Sequence, residues 1–149
     1  MQVSQGSLGR VFVLRLEDGD RLPDSLERFA AENDVRCAFC ALIGGADAGS
    51  KMVTGPRDGR ATPPEIMVHT LAGVHEIAAL GTIFPDAEGT PKLHMHAAAG
   101  REDFASTGCV RAGVDIWKVA EAVVIEMENL DMTRRKDPAT GFELLTKDA

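Results

Sequence analysis

Along Leu93-His94-Met95-His96-Ala97, apolar residues alternate with imidazoles. A β-strand satisfies that period of two, and it sets both histidines on one face. A chain holding such a strand must supply other strands for it to pair with. Cys109, one of only three cysteines, follows shortly in Gly108-Cys109, where a neighbouring strand or loop can bring its thiol alongside. Two imidazoles and a thiolate are a ligand set for zinc or another divalent transition metal of borderline or soft character.

The rest of the chain reads mostly as strands. Arg10 to Leu16 alternates and is rich in apolar and β-branched residues, the pattern of a half-buried strand. Glu17-Asp18-Gly19-Asp20 makes a turn, and Asp20 is placed to cap a helix running to about Asn33, with Pro23 in its first turn. Leu22, Leu26, Phe29 and Ala30 form one apolar stripe on that helix, which covers a sheet. Further strands are expected over Arg36–Ile43, ended by Gly44-Gly45, and more weakly over Ala46–Thr54. Glu65–Leu71 and Glu76–Phe84 follow as strands joined by a turn. Gly108–Gly113 is a short extended piece. Ile116–Glu128 carries the β-branched residues Val119, Val123, Val124 and Ile125, which favour a strand over a helix. Met132–Lys136 and Phe142–Leu145 form a terminal hairpin. Residues 55–64, with three prolines and two glycines, are a loop.

The expected architecture is α+β: a single, mostly antiparallel sheet covered by one main helix. Residues 1–149 make one domain, its core over about residues 10–145. A chain of 149 residues is long enough to enclose a hydrophobic core.

Charge and punctuation narrow the function classes. A net charge of −7 disfavours DNA as a partner, because phosphate neutralisation needs local positive charge. Arg134-Arg135-Lys136 is the densest basic cluster and reads as a solvated surface. Arg57-Asp-Gly-Arg60 lacks the Gly-Arg-Pro core of an AT-hook. No phosphate loop and no Gly-x-Ser-x-Gly nucleophile elbow occur. The N-terminus has no signal-peptide pattern and no segment is long and apolar enough to span a membrane, so a cytoplasmic location without membrane contact is expected. An odd, sparse cysteine count agrees with a reducing compartment. Cys37-Ala-Phe-Cys40 would point to opposite faces of a strand, so both read as core residues and not as a redox pair.

The order of motifs resembles a known family. A strand and helix lead to Ile43-Gly44-Gly45, then Leu71-Ala-Gly-Val-His-Glu-Ile77, Leu80-Gly-Thr-Ile83, Leu93-His-Met-His96, Gly108-Cys-Val-Arg-Ala-Gly113 and Val119-Ala-Glu-Ala-Val-Val-Ile125. This is similar to the PPC domain, the plants and prokaryotes conserved domain, over nearly the whole chain. The resemblance implies a compact domain that assembles as a homotrimer. It also carries the DNA-binding and transcription-associated labels that bacterial members take from plant relatives. Members usually carry Leu-His-x-His and later Gly-His-Leu-x-x-Gly, so Cys109 stands here at the position of a third histidine. His75 stands where many relatives have a bulky apolar residue.

Three further residues are candidates to support the site. Glu76 and Glu121 lie in apolar, strand-like surroundings where an ionised carboxylate is costly unless paired. Each is a candidate general base, or a partner that orients a ligand histidine. His75 flanks a turn and reads first as an exposed or interface residue, but it could join them if its strand lies beside that of His94 and His96. His69 reads as a surface residue. The main functional expectation is a metal-binding, homotrimeric domain with no assigned reaction. The alternative is a small zinc-dependent enzyme that uses a metal-bound water at His94, His96 and Cys109.

Overall fold

Alternating apolar residues in run after run make this chain pair with itself edge to edge. The structure, a computed structural model, describes residues 1–148. Its strands are β1 (Ser7–Glu17), β2 (Arg21–Leu22), β3 (Ala38–Ala46), β4 (Lys51–Pro56), β5 (Ile66–Thr70), β6 (His75–Pro85), β7 (Pro91–Arg101), β8 (Phe104–Cys109), β9 (Val114–Glu128), β10 (Met132–Lys136) and β11 (Glu143–Lys147). Helix α1 spans Asp24–Glu32, and a 3-10 turn covers Val110–Ala112. The large sheet runs β1-β9-β3-β6-β7-β8-β4-β5, with β2 paired to the start of β9; β10 and β11 form a separate hairpin. Every pairing is antiparallel.

The expected α+β arrangement, a sheet covered by one main helix, is not what forms. Strands hold 58% of the chain and helical turns only 8%. The reason is dimensional. Nine helical residues span about 14 Å at 1.5 Å each, whereas eight strands extend about 34 Å at about 4.8 Å spacing. Leu22, assigned to the helix by its stripe, belongs to β2, and the turn at Pro23 delays the helix start to Asp24. Asp20 does not cap that start; its carboxylate instead accepts a hydrogen bond from the Ser25 hydroxyl at 3.1 Å.

The sheet closes its own core instead. Leu16 of β1, Leu42 of β3, Met52 of β4, Ile83 of β6, Met95 of β7 and Val124 of β9 belong to one buried cluster, to which α1 adds Leu26 and Ala30. Two backbone hydrogen bonds draw the β3–β4 region onto the start of β9, from Asp47 N–H to Asp115 O and from Lys51 N–H to Gly113 O, each 2.8 Å. Residues from opposite ends of the strand order therefore share one interior.

β3 runs through Gly44-Gly45 rather than stopping there. At Gly44 a Cβ would sit 2.5 Å from the Ala120 Cα, so only glycine permits that approach. The register slips at this point, and Lys118 adopts a φ of 63° in the resulting bulge of β9. At the far end of β9, Glu126 is 7% exposed and receives both Nε and Nη2 of Arg10 at 2.7 Å.

Candidate metal centre

β7 turns one face to the interior and the other outward. Leu93, Met95, Ala97 and Ala99 are buried, while His94 and His96 stand exposed on the opposite face. β8 runs antiparallel beside it, and the register sets Cys109 directly across from His96. The histidine Nε2 atoms are 3.2 Å apart, and one ring nitrogen of each histidine lies within 4.8 Å of the Cys109 thiol sulfur. Two nitrogens on a tetrahedral zinc, at about 2.0–2.1 Å each, would lie about 3.4 Å apart. The donor types and the spacing of the two imidazoles thus fit such an ion.

Electrostatics keep the site ready to ligate. Burial lowers the pKa of His94, and the positive fields of Arg134, His96 and Arg111 lower it further. The imidazole therefore favours its neutral form, the one that binds metals. Arg134 is only 6% exposed. Its Nη2 reaches Thr82 Oγ1 at 3.2 Å and Thr82 O at 3.4 Å, and its Nε reaches Lys92 O at 3.4 Å. Thr82 is the residue paired with His94 across β6 and β7.

Two open clefts meet at the three donors. One, of about 440 Å³, lies on the His94 side against Arg111, Arg134 and Phe142. The other, of about 320 Å³, lies on the His96 side against Val53, Pro56 and Ile66. Cys109 and Arg111 line both.

The proposed supporting residues are not drawn in. Glu76 pairs with Gly100, four residues from His96 and about 13 Å along the strand. Glu121 sits on β9, which is separated from β7 by β3 and β6, about 14 Å away. The strand of His75 does lie beside β7, but His75 comes before the first rung of that ladder, Glu76 with Gly100; it pairs with Ala46 of β3, and its Nδ1 is 2.8 Å from Gly73 O. It shares a different cleft with His69, Arg101 and Ser106. Cys37 and Cys40 are free, buried and in separate apolar clusters. Burial pushes the Cys40 thiol up to about 12, which makes it a poor nucleophile.

Arg134 and Arg111 are the residues that the sequence reading passed over. The Arg134-Arg135-Lys136 cluster looked like solvated surface, yet Arg134 is buried while Arg135 and Lys136 are exposed.

Comparison with known proteins agrees with this architecture. In sequence, the chain is 32% identical over 139 residues to the bifunctional protein GlmU of Synechococcus sp. strain JA-3-3Ab, covering 92% of this chain. It spans about a fifth of the length of that relative. In structure it is similar to a metal-containing protein from Archaeoglobus fulgidus, with a TM-score of 0.85 at 22% identity over 99% of this chain and 100% of the other. A plant- and prokaryote-conserved protein from Pyrococcus horikoshii gives the same score and identity, over 100% and 99%. A Ralstonia eutropha JMP134 protein with a provisional DNA-binding designation has a TM-score of 0.71 at 20% identity, over 91% and 90%. Residues 3–128 match the family model of the Plants and Prokaryotes Conserved (PCC) domain. With a match across most of its length, the chain belongs to the plants and prokaryotes conserved domain family.

Proposed function

We propose that this is a metal-binding domain in which His94, His96 and Cys109 hold zinc or another divalent transition metal. The observation that carries the reading is the convergence of three donor atoms within 4.8 Å on the outward face of β7 and β8. Three protein ligands leave a coordination position open, and the clefts on either side give a small molecule access to it. The metal-containing relative from Archaeoglobus fulgidus supports the reading by similarity of fold. When bound, the ion would supply a Lewis-acid centre. The chain's own contribution is to hold two imidazoles and a thiol on rigid strands.

A catalytic role has less support, because Glu76 and Glu121 lie far from the three donors. DNA binding, carried over from relatives, also has less support. Arg10, Arg15, Arg21, Arg57 and Arg135 each pair with a carboxylate, on a chain of net charge −7.

Self-association, as the homotrimer that the family resemblance implies, is supported by the outer face of the sheet. Val13, Val123, Ala41 and Leu80 form a continuous cross-strand row that leads to His96 and Cys109 and runs on to Val53 and Val68. Val13 and Leu80 are 79% and 62% exposed, an apolar face that water covers poorly in a lone protomer.

The deciding experiment is elemental analysis of the purified protein beside a His94→Ala/His96→Ala variant. Stoichiometric metal in the wild type and none in the variant is expected. Equal metal in both would end the proposal.

A further inference from the structure

Arg134 is a buried cation with no carboxylate in direct contact; Glu143 and Glu27 act on it only at longer range. Arg10, by contrast, meets Glu126 at 2.7 Å, whereas among the described residues no carboxylate lies within 4.0 Å of Arg134. Its polar contacts, at 3.2–3.4 Å, go to Thr82 and the Lys92 carbonyl. All are neutral and longer than a charge-assisted bond. A buried guanidinium left this way is costly unless something anionic completes it.

The cleft beside Arg134 has the matching bias. Arg111, Arg134 and Lys92 line it against Glu27 and Glu143, three cations to two carboxylates on a chain that is acidic overall. Glu27 is partly committed, since its Oε1 accepts the Leu93 N–H at 2.9 Å. A divalent ion bound with one thiolate would add further positive charge at the same spot. Beside His94 and Cys109 the remaining lining is largely apolar, including Phe142 and Leu144, which suits a hydrocarbon body better than an inorganic anion.

From these observations we infer that the cleft of about 440 Å³ binds a small carboxylate with an apolar body. The carboxylate lies against Arg134 and Arg111, beside the coordination position that His94, His96 and Cys109 leave open. Arg134 is a ligand-binding residue here, and its planar fork matches the two carboxylate oxygens. The inference rests on the metal reading for that neighbouring position, but the guanidinium pocket itself needs no metal.

Benzoate is the probe and benzamide its neutral isostere, each titrated calorimetrically into the full chain, zinc-loaded and chelator-treated. Benzoate should bind both forms, and benzamide at least about tenfold more weakly. Arg134→Gln should weaken benzoate by at least about tenfold. Should that variant fail to fold, Arg111→Gln, at an exposed position, should still weaken benzoate by about threefold or more. Equal binding of benzoate and benzamide, or no benzoate binding to either form, would overturn the inference. Benzoate binding to protein that never takes up zinc would overturn the metal reading and leave the carboxylate pocket standing.

Discussion

His96 on β7 and Cys109 on β8 are direct cross-strand partners, so the imidazole and the thiol share a face by register and not by loop placement. Backbone pairing fixes Cβ atoms about 4.5–5.5 Å apart, within reach of one shared ion. Replacing Cys109 with serine keeps the register and removes the soft donor, so zinc affinity should fall by about tenfold or more. Cobalt-loaded wild type should show a thiolate-to-cobalt charge-transfer band. Cys109→His, which restores the residue usual in the family, should retain cobalt without that band. An unchanged spectrum would remove Cys109 from the ligand set.

Behind the two histidines sits Met95, fully buried between them in sequence. Met95→Ala should cost about 2–5 kcal/mol, read as a lowered urea midpoint. Because the same strand positions His94 and His96, metal affinity should weaken as well.

The ion pair between Arg10 and Glu126 makes a separate prediction about pH. Hydrogen bonding from the Arg10 side chain holds the Glu126 carboxyl at about 2, below its ordinary 4.5. A depressed carboxyl contributes stability above its unfolded value and loses it as pH falls toward the folded one. Wild type should therefore exceed Glu126→Gln in stability by about 1 kcal/mol at neutral pH, a modest figure because Arg10 is half exposed. The gap should close between about pH 4.5 and 2. Chemical denaturation at several pH values checks this.

Leu80→Asp tests the outer face. It places a charge in the middle of the row from Val13 to Cys109, at a position 62% exposed, so the fold should tolerate it. Sedimentation velocity should show wild type as an oligomer and the variant as a monomer. A monomeric wild type would remove self-association.

Much of this was legible where side chains alternate. Leu93 to Ala97 announced which residues face inward, and β9, β10 and β11 fall close to their expected positions. The helix was over-read because a short apolar stripe gives periodicity without revealing the area it must cover. The pairing of Cys109 with His96 depends on the register between two strands, which local pattern does not encode. Arg134 was hidden for a related reason. A charge looks solvated in sequence until long-range packing, here against Thr82 and Phe84, takes it out of water.

The cross-strand row that passes through His96 and Cys109 carries one more consequence. If copies of the chain meet along it, the ligand atoms lie at the seam, and the affinity of protomers for each other becomes thermodynamically linked to that for the ion. Chelation would then promote dissociation, and dilution would release metal, with one coupling free energy governing both. A domain built this way would convert the availability of a trace element into a change of assembly state.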